Sequence, residues 1–111
     1  MASGILGAAA LNSGQNTQIY QVPTDTFSVV TISITNRSNS ASSLVRIALT
    51  ANDIAQTAPD NADWIEYDTE LLANGVLERN AVVLDAQKYI VVFASGSATN
   101  VVVYGIETST I

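Results

Sequence analysis

The chain has 111 residues, 48% of them hydrophobic but only 13% charged, and a net charge of −6. Its four basic residues, Arg37, Arg46, Arg79 and Lys88, offer no footprint for nucleic acid, which needs cations to displace counterions, and little attraction for an anionic membrane. With no histidine and no cysteine, Ser-His-Asp and Cys-His catalysis, disulfides and thiolate metal sites are excluded.

A chain of this length makes one domain, with no linker or repeat to divide it. Typical soluble domains carry about 25% charged residues. The low charge here suits a protein that covers part of its surface against neighbours.

The N-terminus reads MASGILGAAALNSG. Its apolar run, Ile5 to Leu11, is far shorter than the ~20 residues of a membrane helix. No positive charge precedes it, so no export signal is expected. It is expected to form an arm over residues 1–14 that orders against a neighbour, with a β-sandwich over 15–111.

In TFSVVTISIT, Val30, Ile32 and Ile34 alternate with Thr31, Ser33 and Thr35, as in a strand with one buried side. Phe27 and Val29 face the other way, so that end is expected to be covered on both sides. SLVRIALT repeats the pattern, with Val45, Ile47 and Leu49 inward and Arg46 outward. The turn-forming stretch NRSNSASS between them predicts a hairpin. Asn52 to Asp63 predicts a loop with at most one helical turn, stopped by Pro59.

WIEYD alternates again, and DTELLANG is read as extended to about Leu72, then a turn at Asn74-Gly75 with φ > 0 expected at Gly75. A helix there would be barely two turns long and would have little stability of its own. VLERNAVVLDA is a further strand. KYIVVFA and TNVVVYGIE are apolar on both faces, as in strands central to a sheet, and SGSA between them predicts a second hairpin. Gly105, inside a strand, implies a bulge or close backbone approach. The expected fold is all-β: a single antiparallel β-sandwich of six to eight strands, jelly-roll-like or immunoglobulin-like, with the short N-terminal arm.

No enzyme is expected. Lys88 with a serine makes a poor dyad beside a strand start, where a snorkelling lysine is the simpler reading. The carboxylates Asp60, Asp63, Glu66, Asp68 and Glu70 cluster in sequence, but without calcium-loop spacing they read as a solvated acidic face, and no metal or other cofactor is expected. Asn36 in NRS matches a glycosylation acceptor. Trp64 reads as a core or interlayer residue.

The stretch WIEYDTELLANGVLERNAVVLDAQKYIVVFAS, followed by NVVVYGIE and preceded by the opening GILGAAAL, resembles small virion structural proteins of tailed bacteriophages of the marine type. That resemblance implies a capsid cement or decoration protein bound to the major capsid protein. It places the chain in the virion, assembled in a host bacterial cytoplasm. A tail, neck or baseplate component is the alternative, and a carbohydrate-binding module for host adsorption is the rival of another class. The likeness and the apolar strands together imply a homo-oligomer, a trimer by preference, with its interface on Ile5, Leu6, Leu11, Val101, Val103 and Tyr104.

Overall fold

The computed structural model describes residues 2–111. Eight strands follow in chain order: β1 Ser3–Ala10, β2 Gln15–Gln21, β3 Thr26–Asn36, β4 Ser43–Thr50, β5 Trp64–Leu71, β6 Val76–Leu84, β7 Tyr89–Ala94 and β8 Thr99–Ser109. They form two antiparallel four-stranded sheets. Sheet A has the order β1-β8-β3-β6 and sheet B the order β2-β7-β4-β5.

The alternation of apolar side chains builds the space between the sheets. Val30, Ile32 and Ile34 of β3 meet Val45 and Ile47 of β4, Ile90 and Val92 of β7, and Val101 and Val103 of β8 in one buried cluster. Each such side chain stabilises the fold by roughly 1.5–3 kcal/mol when fully covered. The strands expected to be central from their two-sided apolar pattern are central: β7 lies inside sheet B and β8 inside sheet A.

Every connection except β4–β5 passes from one sheet to the other. This is the wrapping of a jelly roll. It differs from an immunoglobulin sandwich, where the first two strands pair within one sheet. Both expected hairpins are therefore corrected. β3 and β4 lie in opposite sheets, and so do β7 and β8. The turn-rich links have the composition of hairpin loops, but they span the ~10 Å between sheets. Arg37 N–H donates to Ala98 O at 2.7 Å, and Thr99 Oγ1 and Ser43 Oγ lie 3.1 Å apart, tying the two links together.

The expected arm is strand β1. It pairs with β8 from Ser3↔Ile106 to Ala10↔Asn100, and Leu11 is buried in the core. Its small residues suit an edge strand that packs closely over its neighbours.

Asn36 is buried, and its side-chain amide donates to Ala41 O, Leu71 O and Leu72 O at 2.9–3.3 Å. The acceptor pattern NRS is thus spent inside the fold on holding two links together. In the turn after β5, Gly75 N–H donates to Leu72 O at 2.8 Å, and Asn74 takes the left-handed conformation at φ 59°. The expectation of positive φ at Gly75 is corrected to Asn74, the third position of a type II turn.

The connection after β4 forms one turn over Asp53, then a 3-10 turn at Asn61–Asp63, where Asp63 N–H donates to Asp60 O at 3.0 Å and Asp60 N–H donates to Asp63 Oδ2 at 2.9 Å. It lies over the outside of sheet B. Ile54 N–H donates to Gln18 Oε1 at 3.3 Å, and Gln18, Val91, Ala48 and Trp64 are one row of cross-strand neighbours. Ala48 and Val91 are fully buried although they point away from the core.

All four edge strands carry irregular pairing with their inner neighbours. The register shifts lie at Leu6 in β1, Ile19 in β2, Tyr67–Asp68 in β5 and Asn80–Ala81 in β6. Asp68 and Ala81 adopt positive φ there. Bulges twist an edge and spoil it as a template for another strand.

Candidate functional site

The two outward faces of the sandwich differ in kind. On sheet B several outward side chains are bound to one another, while Tyr67 and Leu44 stay 57% and 40% exposed. The Arg46 guanidinium carbon lies 4.2 Å from the Tyr67 ring centre and 4.4 Å from that of Phe93. Its Nε donates to Asp68 Oδ1 at 2.6 Å, and that bond holds the guanidinium above its ordinary pKa. Trp64 meets Tyr67 edge-on at 5.5 Å.

On sheet A the outward side chains are apolar and open. Val83, Val29 and Ile106 form one row across β6, β3 and β8, and Ile5 and Tyr104 pair one step along. Ile5 is 74% exposed, Val83 63%, Ile106 52%, Tyr104 38% and Phe27 36%. The end of β3 that was expected to be covered on both sides is thus open on the outside.

Of the six expected interface residues, the structure brings only Ile5 and Tyr104 to this surface. Leu11, Val101 and Val103 belong to the core, and Leu6 packs against it. The sequence reasoning missed Phe27, Val29, Val83 and Ile106. Their signal was parity: Val83 falls out of phase with Val82 and Leu84, and Ile106 with Val101 and Val103.

The acidic stretch is divided among separate partners. Asp68 pairs with Arg46, and Glu66 with Arg79 at 2.9 Å across the side of the sandwich where β5 faces β6. Thr69 Oγ1 donates to Glu66 Oε1. Among the described residues no group of three potential ligands is placed to hold a metal ion.

An open cleft of about 240 Å³ lies beside Leu49, Thr50, Val83 and Leu84. Lys88 Nζ donates to Asp85 Oδ2 at its margin at 2.8 Å, which holds the Asp85 carboxyl below its ordinary range. At the opposite side of the sandwich, Tyr20 O–H donates to Glu107 Oε2 at 2.6 Å and lies 2.9 Å from Ser28 Oγ. Burial, then the bond to Glu107, pushes the phenol up to about 12.

Residues 7–95, from within β1 to just past β7, match the model of a family described as Trs120/TRAPPC9, fourth Ig-like domain. The match stops before β8, the strand that joins β1 to β3. No curated protein and no solved structure gives a significant match.

This finding overturns the likeness to phage virion proteins, and with it the cement, tail and baseplate roles, the capsid partner and the virion location. The geometry removes their supports separately. The trimer interface rested on an arm that is strand β1 and on Val101 and Val103, which are core. The glycan-binding rival loses its sheet B aromatics, since Arg46 lies over the rings of Tyr67 and Phe93 and Trp64 meets Tyr67 edge-on. The match spans well over half of the chain, and a sandwich of two antiparallel sheets is the architecture it shares, though wrapped as a jelly roll: the chain belongs to the family of the fourth immunoglobulin-like domain of Trs120/TRAPPC9.

Proposed function

We propose that this chain is a non-catalytic module that docks onto other subunits of a multi-subunit trafficking assembly of the TRAPP kind, the setting its family suggests. The observation that carries the reading is the bare apolar face of sheet A, formed by Ile5, Phe27, Val29, Val83, Tyr104 and Ile106. Contiguous exposed apolar surface on a small domain marks an interaction site. The residue inventory supports a role without turnover, because it holds neither histidine nor cysteine and its lone lysine is ion-paired to Asp85.

Sedimentation of the purified chain with purified TRAPP-type subunits, one at a time, tests this. A stoichiometric complex with one of them is expected. Failure to associate with any would overturn the proposal.

A further inference from the structure

The charges around the bare face of sheet A narrow what covers it. Glu78 stands beside the row, its Oε2 3.5 Å from Tyr104 Oη, and Asp25 immediately precedes the β3 end that carries Phe27. Asp85 closes β6 at the same end, its charge offset by Lys88. The remaining basic residues are turned elsewhere. Arg46 lies on sheet B, Arg79 is bound to Glu66, and Arg37 donates to Asn100 at the far end of β8. An apolar centre with an acidic rim and, among the described residues, no free cation disfavours a second copy, which would bring its own rim and its net charge of −6 against the first. It disfavours an anionic lipid surface for the same reason.

Backbone geometry narrows the occupant further. This is the face of a sheet and not its edge, so it offers a visiting chain no ladder of N–H and C=O groups, and the edges are bulged. A segment lying on it must satisfy its own backbone, as a helix does. The exposed row crosses three strands, about 10 Å at ~4.8 Å per strand, and the Ile5–Tyr104 pair adds one further step. That area matches one side of a helix about 10–12 Å across.

We propose that the outer face of sheet A binds a basic amphipathic helix of another chain, with apolar side chains seated on Val83, Val29 and Ile106 and lysine or arginine residues facing Glu78 and Asp25. This deepens the docking role proposed above and rests on it.

The test is an amide-shift titration of the intact chain with three synthetic helices. One carries leucines on one face and lysines on the other, a second replaces lysine by glutamate, and a third keeps lysine but replaces leucine by serine. Only the Leu/Lys helix is expected to bind. Its shifts should centre on Phe27–Thr31, Val82–Leu84 and Val102–Ile106, and binding should weaken as salt is raised. Ile106→Asp should weaken it roughly tenfold or more while leaving the spectrum folded, and Val83→Asp serves as a second, independent probe. Shifts on sheet B, equal binding of the Ser/Lys helix, or no binding of the Leu/Lys helix would each overturn the inference. A subunit complex that forms with its footprint on sheet B would overturn the inference and leave the docking role standing.

Discussion

The two sheets are built from similar strands, yet their outer faces are used differently. Sheet B spends much of its outer surface on itself, though Leu44 and Tyr67 remain exposed. A long connection lies over Ala48 and Val91, and Arg46 is held between two rings and a carboxylate. Sheet A leaves Ile5, Val83 and Ile106 more than half exposed, with no described residue of its own above them. The difference cannot be ascribed to a general excess of apolar residues, because the four edges are bulged and most of the other face is managed by ion pairs or a covering loop. Among the described residues, only on sheet A do the exposed apolar side chains line up as a row across three strands, through Val83, Val29 and Ile106. A face that costs solubility and returns no internal packing is intelligible if something else covers it.

Substitutions can test this contrast, and the largest effect is expected beneath the bare face. Gly105 pairs with Val30, where β8 runs so close to β3 that an added Cβ would strike Val29 O and come within 2.7 Å of Val30 Cα. Both obstacles are backbone, which cannot swing aside. Gly105→Ala should cost about 3 kcal/mol, at the upper end of overpacking penalties, read as a fall in the denaturation midpoint. An unchanged midpoint would mean that β8 is not fixed against β3 as described, and the platform for the exposed row would lose its basis.

Sheet B is expected to respond next. Arg46→Ala removes the ion pair with Asp68 and two cation–π contacts, all partly exposed to water. A loss of about 1–2 kcal/mol is expected from contacts of that kind. Lysine at this position should recover only part of it, because an ammonium has no plane to lay between two rings. Full stability in Arg46→Ala would erase the distinction between a self-bound and an open face.

How much of this was legible in the sequence follows from period and distance. Alternation is a local signal, and it gave the strands at 26–36, 43–50 and 64–71 and the central positions of β7 and β8. Pairing partners are not local. The short links NRSNSASS and SGSA have hairpin composition, and nothing in them records that they cross between sheets. β1 and β2 are rich in Gly, Ala, Gln and Asn, so their edge positions are set by the neighbours they meet rather than by an apolar pattern of their own. The same holds for the site. Tyr104 and Ile5 stood out individually, but the row through Val83, Val29 and Ile106 exists only once β6, β3 and β8 are adjacent.

The contrast also has a pH-dependent support. Tyr20 on β2 of sheet B donates to Glu107 on β8 of sheet A, joining the sheets at the open end of the exposed row. Its folded pKa, about 12, lies above its ordinary value of 10.0. The stabilisation is therefore complete below pH ~10 and is lost as pH rises towards ~12, where the unfolded chain ionises first. A stability profile over that range should slope downward in the wild type, and the slope should flatten in Tyr20→Phe. Parallel profiles for the two proteins would remove Tyr20 as the alkaline-sensitive link.

The smallest expected effect on stability is the most informative about function. Val83 and Ile106 project from the bare face, 63% and 52% exposed, so the chain recovers little of their hydrophobic value on folding. Replacing both by serine leaves β6 and β8 in place and opens no cavity, since neither belongs to the buried cluster. The change in stability should stay within about 0.5 kcal/mol, as for surface substitutions away from special features. Association should respond in the opposite sense, because a docked partner would desolvate these two side chains almost completely. A double variant with an unaltered melting curve that no longer associates with its subunit partner would separate the open face from the fold beneath it. If it melts substantially lower, those side chains support the fold, and the open face is then part of the protein's own packing.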